Sequence, residues 1–223
     1  MMNDKAYGIY NKIMSLFFPD RCAICGKITD AGKCVCDECR ENFSRKQEHF
    51  KIGSTSCYSV CEYNDSHCGI VIGAKKQRDF SKLSFMASEI YDLLKAYDVI
   101  DSIDVIIPVP MSRIRRITRG YNHTEKISRH LSYLSGIKTV KALRKVKETR
   151  EQKTLTRRQR LENLKDCYKV IEGKVPQNQT VLVIDDVTTT GSTLNEISRL
   201  LKTKGNKVVC AVFARTPFYE NKQ

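Results

Sequence analysis

One stretch of the chain carries residue types for ligand chemistry in a usable order. Val181-Leu182-Val183-Ile184 gives four apolar residues, followed by Asp185-Asp186 and then Val187-Thr188-Thr189-Thr190-Gly191-Ser192-Thr193. The β-branched run predicts a strand buried on both faces. Leu194, Ile197, Leu200 and Leu201 fit one face of a helix that follows. The acidic pair is therefore expected where the strand ends, with a small hydroxylic loop leading into a helix start. In open α/β sheets, ligands bind at the carboxyl ends of the strands. A helix start offers unpaired N–H groups and a positive dipole end, which suit a phosphate. Small residues let the backbone close around that phosphate, and hydroxyls add donors. Carboxylates repel phosphate, so the acidic pair must hold something else. Sugar hydroxyls donate hydrogen bonds to carboxylates. The stretch asks for a ligand with a phosphate at one end and a ribose-like diol beside it.

A second set of residues suits a metal. The chain has ten cysteines, and two C-x-x-C pairs, Cys22 with Cys25 and Cys36 with Cys39, stand ten residues apart. Four soft thiolates in two tight turns are the arrangement of a structural tetrahedral zinc site. With four protein ligands no position stays open, so the ion would staple rather than catalyse. Such sites supply roughly 10–16 kcal/mol of folding free energy. Cys34 offers a competing thiol, but pairing by C-x-x-C leaves it spare. A redox pair in a thioredoxin-like unit is the alternative, and it lacks the surrounding βαβ pattern. Cys57, Cys61 and Cys68 are expected as small core residues.

The third set is cationic. Lys and Arg outnumber Asp and Glu by 39 to 25 among 223 residues, a formal charge of +14. That excess points to an anionic partner: a polyphosphate, a nucleic acid or a membrane surface. Arg113, Arg115, Arg116 and Arg119 follow the apolar Val105-Ile106-Ile107, a second buried strand ended by Pro108 and Pro110. They are expected on a loop at the sheet's carboxyl edge, with a merely solvated loop as the alternative. Residues 141–160 hold nine Lys or Arg and little apolar periodicity. They predict a mobile basic loop running into a helix.

The elements that must position these groups follow from periodicity. Residues 1–18 predict an amphipathic helix ended by Pro19. It is expected to pack on the body of the protein, since its polar face carries only Lys5 and Lys12 as positive charges. Residues 55–63 predict a strand, Asn64-Asp65 a turn, and residues 81–97 a helix. Ile70–Ala74 leads into Lys75-Lys76-Gln77-Arg78 between them. A helix is expected over 124–134, and strands over 167–171 and 208–213. No run of about 20 apolar residues exists to span a membrane, and Ile13–Phe18 makes no cleavable signal. A reducing cytoplasm is expected, where clustered cysteines favour metal over disulfides. No G-x-x-x-x-G-K-[ST] occurs, so nothing suggests ATP hydrolysis by this chain.

Val181–Leu194 resembles the 5-phosphoribosyl-1-pyrophosphate (PRPP) motif of type I phosphoribosyltransferases. With the N-terminal cysteines, Pro108-Val109-Pro110, Arg119-Gly120-Tyr121-Asn122 and the stretch from Arg150 to Asn163, the chain resembles the ComF family over about residues 19–216. Those are bacterial competence proteins, phosphoribosyltransferase-like with an N-terminal zinc-ribbon-like module. The resemblance implies a doubly wound, mostly parallel α/β sheet over 51–223 with a basic loop at 143–160. Residues 1–50 would hold the N-terminal helix and the four-cysteine zinc module. It implies that Asp185 and Asp186 hold the ribose hydroxyls as the catalytic pair. Val187, Thr188, Thr189, Thr190, Gly191, Ser192 and Thr193 would cradle the 5-phosphate. The loop from Pro110 to Arg119 would face the pyrophosphate, with Arg113, Arg116 and Arg119 as its cations. Arg150 and Lys153 belong to the basic loop that would close over PRPP. Structural Zn2+ and Mg2+ with PRPP are the implied cofactors. The chain departs from the family at His123, where Gln is usual.

Two functions follow. The first is a transferase, in which pyrophosphate leaves C1 of PRPP or a related phosphosugar and a nucleophile replaces it. The second is a non-catalytic single-stranded DNA binding factor in transformation, acting with a competence helicase. Arg157, Arg158 and Arg160 would be its backbone contacts. Either is expected in the cytoplasm, with association at the inner face of the membrane through partners.

Overall fold

The structure is a computed structural model and describes residues 20–30, 33–76, 80–147 and 167–216. The expected N-terminal helix, and Arg150, Lys153, Arg157, Arg158 and Arg160, lie outside them.

Strand β6 (Thr180–Thr188) is an interior strand of a five-stranded sheet of order β1-β2-β7-β6-β3. Its neighbours are β3 (Val105–Pro108) and β7 (Lys207–Arg215), both parallel to it. Beyond β7, β2 (Thr55–Glu62) is also parallel, and β1 (Glu48–Ile52) closes the edge as its antiparallel hairpin partner. Val181–Ile184 are all fully buried, as a parallel strand covered on both faces requires.

Side-chain alternation along β6 feeds two cores. Leu182 and Ile184 pack with Met86 and Ile90 of helix α3 (Phe80–Ala96) and with Ile127 and Leu131 of α5 (His123–Ser135). Val181 and Val183 pack with Leu194, Ile197 and Leu201 of α6 (Ser192–Lys202) on the other face. Helices thus cover both faces, and the sheet is doubly wound.

Five elements differ from the sequence expectation. Residues expected to form a turn and a connection make helix α2 (Asp65–Lys76). Asn64 starts it, its side chain accepting from the His67 N–H at 3.2 Å. Its two glycines argue against a helix by propensity, but packing requires them. A Cβ at Gly69 would strike the Ala23 carbonyl, and one at Gly73 would lie 2.6 Å from Lys82. The four arginines expected on a loop wind into α4 (Arg113–Arg119), capped by Ser112 and closed by Gly120 at φ 77. The strand at 167–171 does not join the main sheet. As β5 (Tyr168–Val170) it pairs antiparallel with β4 (Leu143–Lys145), which forms where a basic loop was expected. Finally, β6 runs past the acidic pair, because Val187 and Thr188 keep pairing with Ala214 and Arg215 of the long β7.

The cysteine segment docks on the first core. Helix α1 (Asp37–Glu41) follows Cys36. Cys22, Cys34 and Val35 are buried in the cluster that contains Ile70 and Phe85.

Candidate functional site

The alternation that builds the two cores also splits the acidic pair. Asp186 continues the Leu182–Ile184 face, toward α2 and α5. Its Oδ2 lies 2.6 Å from Lys75 Nζ and 3.3 Å from His123 Nε2. Asp185 continues the other face, toward Tyr168 of β5. Burial pushes the Asp185 carboxyl well above the usual range, and the neighbouring Asp186 charge adds to it. Burial also acts on Asp186, but Lys75 and His123 outweigh it and hold that carboxyl well below the usual range. The two are tied through the backbone, the Asp186 N–H donating to Asp185 Oδ1 at 2.9 Å.

His123 is fixed by the start of its helix. Asn122 caps α5 by accepting from the Thr124 N–H, and its own amide donates to the Val109 carbonyl at 3.2 Å. The Thr124 hydroxyl donates to the same carbonyl at 2.6 Å. The first turn of α5 is therefore bolted to the end of β3.

Both carboxylates open onto a cavity of about 410 Å³ at the carboxyl edge of the sheet. Its floor is Asp185, Asp186 and Val187, and Thr189 and Thr193 line the α6 side. Its walls carry Lys75, Arg115, Arg119 and Lys145. Tyr168 stands beside Asp185. Burial, and then the Asp185 charge, raise its phenol above the ordinary value, so it is a neutral donor at this wall. A volume of this size suits a small polar ligand.

The helical winding of α4 sorts its arginines. Arg115 and Arg119 are four residues apart and share the face that lines the cavity. Arg116 instead pairs with Glu125 at 3.0 Å, and Arg113 is exposed away from the cavity. The phosphate-loop residues are also divided. Val187, Thr189 and Thr193 line the first cavity, whereas Thr188, Thr190, Gly191 and Ser192 line a second of about 290 Å³. Lys51, Ile52 and Arg215 complete this second cavity, and Thr189 faces both. The loop is a wall shared by two cavities.

Lys75, Lys145 and Tyr168 are contributors that pattern reading does not find. Lys75 belongs to a visible basic run, but only the docking of α2 aims it at Asp186. Tyr168 and Lys145 arrive through the small two-stranded sheet.

The Sγ atoms of Cys22, Cys25, Cys36 and Cys39 lie within 4.8 Å of one another. Cys25 and Cys36 are 3.7 Å apart. Four sulfurs each ~2.3 Å from one ion would stand about 3.8 Å apart, so the set fits tetrahedral zinc. Burial acts against ionisation of Cys22, but backbone N–H groups of Cys25, Cys36 and Ile24 outweigh it and lower its thiol to about 6. Cys34 lies outside this cluster, with its carbonyl accepting from the Ala23 N–H.

Among the described residues no helix is long and apolar enough to cross a membrane. Residues 93–222 match the phosphoribosyl transferase domain family. Competence protein F of Haemophilus influenzae is 41% identical over 105 residues, 46% of this chain and 45% of its own length. That match therefore spans less than half of the relative. DNA utilization protein YhgH of Escherichia coli K12 is 26% identical over 84% of this chain and 86% of its own. Competence protein ComFC of Bacillus subtilis is 25% identical over 86% of this chain and 75% of its own.

Proposed function

Because this chain belongs to the phosphoribosyl transferase domain family, and is a ComF-family phosphoribosyltransferase-like protein, we propose that it binds PRPP in the larger cavity. We further propose that it transfers the phosphoribosyl group with release of pyrophosphate. One observation carries the reading: an acidic floor, a hydroxylic loop at a helix start and a cationic wall face a single space. Asp185 and Asp186 accept hydrogen bonds from the ribose hydroxyls. The 5-phosphate lies toward Thr189 and Thr193 at the start of α6. Arg115, Arg119 and Lys145 face the pyrophosphate and stabilise its charge as it leaves, as preorganised cations do. Mg2+ bound with PRPP would neutralise pyrophosphate charge, and the carboxylate floor with its oxygen donors fits such a hard ion. The competence and DNA-utilization names of the relatives support a setting in DNA uptake.

Isothermal titration with PRPP and Mg2+ tests the reading. Wild type should bind, Asp185→Asn/Asp186→Asn should not, and Arg115→Ala should weaken binding more than Arg116→Ala. Absence of binding by wild type sinks it. Release of pyrophosphate on adding candidate nitrogen acceptors would distinguish turnover from binding alone.

A second reading, single-stranded DNA binding with a helicase partner, is favoured by a separate surface. Phe80 is 49% exposed, its ring 5.7 Å from Tyr121, with Lys126 Nζ 4.7 Å above it. Arg116, Arg129 and Lys141 line the same depression. Aromatic faces beside cations are the stacking platform that single strands use. Strand affinity should fall steeply with salt and drop in Phe80→Ala. A flat salt response, or an unchanged Phe80→Ala, would refute it.

A further inference from the structure

Resting on the phosphosugar reading of the larger cavity, we propose that His123, Asp185 and Asp186 form a protein-held site for a divalent cation that accepts nitrogen as well as oxygen donors. Mn2+ or a similar first-row ion is preferred over Mg2+, and Lys75 takes the ion's place when it is absent.

Geometry supports this. One ligand atom from each of the three residues lies within 4.8 Å of the others. His123 Nε2 and Asp186 Oδ2 are 3.3 Å apart. Two ligands each ~2.1 Å from a common ion stand about 3.0–3.4 Å apart, so this pair already has the spacing of cis ligands. The backbone that carries the imidazole is held, because Asn122 and Thr124 pin the first turn of α5 to the Val109 carbonyl.

The site also demands a cation. Asp186 is 5% exposed and His123 8%. Asp186 Oδ2 is buried against Lys75 Nζ and His123 Nε2, and among the described residues His123 Nδ1 has no hydrogen-bond partner. A buried carboxylate demands a positive charge beside it. Lys75 supplies it at 2.6 Å, but from the rim: its side chain keeps 29% exposure on a flexible stem. An ammonium at the end of such a stem can withdraw toward solvent when a divalent ion takes its contact. A site of one imidazole and two carboxylates is mixed in donor type. Mg2+ favours an all-oxygen shell, whereas first-row transition ions, of which Mn2+ is the weakest binder, also accept imidazole nitrogen.

The test uses the full chain with its cysteine site zinc-loaded and no phosphosugar present. Mn2+ is titrated and followed by loss of the free-ion electron paramagnetic resonance signal, with Mg2+ as competitor. Wild type should show one Mn2+ site that a tenfold excess of Mg2+ does not empty. His123→Gln, which exchanges the nitrogen for an amide oxygen, should weaken Mn2+ by about tenfold or more while leaving Mg2+ nearly unchanged. Lys75→Met should tighten Mn2+ severalfold, since it removes the competing cation. No Mn2+ site in wild type, or equal Mn2+ affinity in His123→Gln, overturns the proposal. PRPP titration with Mg2+ on the same samples separates the two failures. PRPP binding without a Mn2+ site removes only the cation site, whereas absent PRPP binding removes the phosphosugar reading.

Discussion

Gly191 is where the phosphate loop, the start of α6 and the edge hairpin meet, and its replacement by alanine should be costly for two separable reasons. Its φ is 73°, in the left-handed region, at the N-cap of α6. An L-residue there costs roughly 1–2 kcal/mol. A Cβ at this position would also stand 2.6 Å from Ile52 Cδ1 and 2.9 Å from its Cγ1. Overpacking of that kind costs about 1–3 kcal/mol. Gly191→Ala should therefore lose about 2–5 kcal/mol, a large share of an ordinary domain's 5–15 kcal/mol. The second variant isolates the steric part. Ile52→Ala opens the space and, because Ile52 is only half-buried, costs about 1–2 kcal/mol by itself. In the double variant the backbone cost stays and the overlap goes. The cycle should thus show a favourable coupling of about 1–3 kcal/mol. Urea unfolding at constant m-value reads all four proteins, and PRPP titration reads the loop. Gly191→Ala should weaken PRPP by displacing the Thr189–Thr193 backbone, with partial recovery in the double variant. A Gly191→Ala protein within about 0.5 kcal/mol of wild type, or a cycle with no coupling, would refute the reasoning.

The remaining expectations concern cysteine. Burial pushes the Cys61 thiol up to about 12, above its unfolded value, so the folded state keeps a proton that the unfolded state loses. That contribution is intact below about pH 9 and declines by at most ~1.4 kcal/mol per pH unit as pH rises toward 12. Urea unfolding between pH 8 and 11 should show wild type losing stability faster than Cys61→Ala; parallel curves would contradict the assignment. Metal analysis should find about one zinc per chain, absent in Cys36→Ser. Removal should also lower the unfolding midpoint of the sheet domain, because Cys22, Cys34 and Val35 share a core with Ile70 and Phe85. Burial, with the neighbouring thiols, raises Cys39, and zinc binding must expel its proton. Zinc affinity should therefore rise with pH across neutrality, read by competition with a chelator.

The sequence made the centre of this fold legible because its strongest signals are local. Val181–Ile184 is an unbroken apolar run and Leu194–Leu201 keeps helical period, so strand, acidic pair, loop and helix could be ordered without knowing their surroundings. The cysteine spacing is equally local. What stayed hidden depends on docking. Helix α2 has Gly69 and Gly73 inside it, and only contact with Ala23 and Lys82 makes glycine there an advantage. Lys75 reaches Asp186 because α2 docks in that way. Arg115 rather than Arg116 enters the cavity because α4 is helical, a fact that four arginines in seven residues do not announce. Tyr168 reaches Asp185 through a second sheet that pairs strands 25 residues apart by their centres, farther than the windows of roughly 11–18 residues in which periodicity is read.

Net charge by itself would admit any polyanion to this protein, and the cavity floor narrows that choice. A bare phosphate chain laid across the larger cavity would bring its charge onto Asp185 and Asp186. Among the described residues Lys75 and His123 are the groups in contact with that floor, and both are already engaged with Asp186. A ligand that presents hydroxyls to the floor and phosphates to its two ends avoids the repulsion. It can still use Arg115, Arg119 and Lys145 on one wall and the start of α6 on the other. PRPP has that form; the backbone of a nucleic acid, with a charge at every step, does not. A single strand therefore has better ground around Phe80 and Tyr121, where Lys126, Arg129 and Lys141 are not opposed by a paired acidic floor and Glu125 is already matched by Arg116 and Lys141. The two functional readings occupy different surfaces of one basic protein, and mutations in one should leave binding at the other intact.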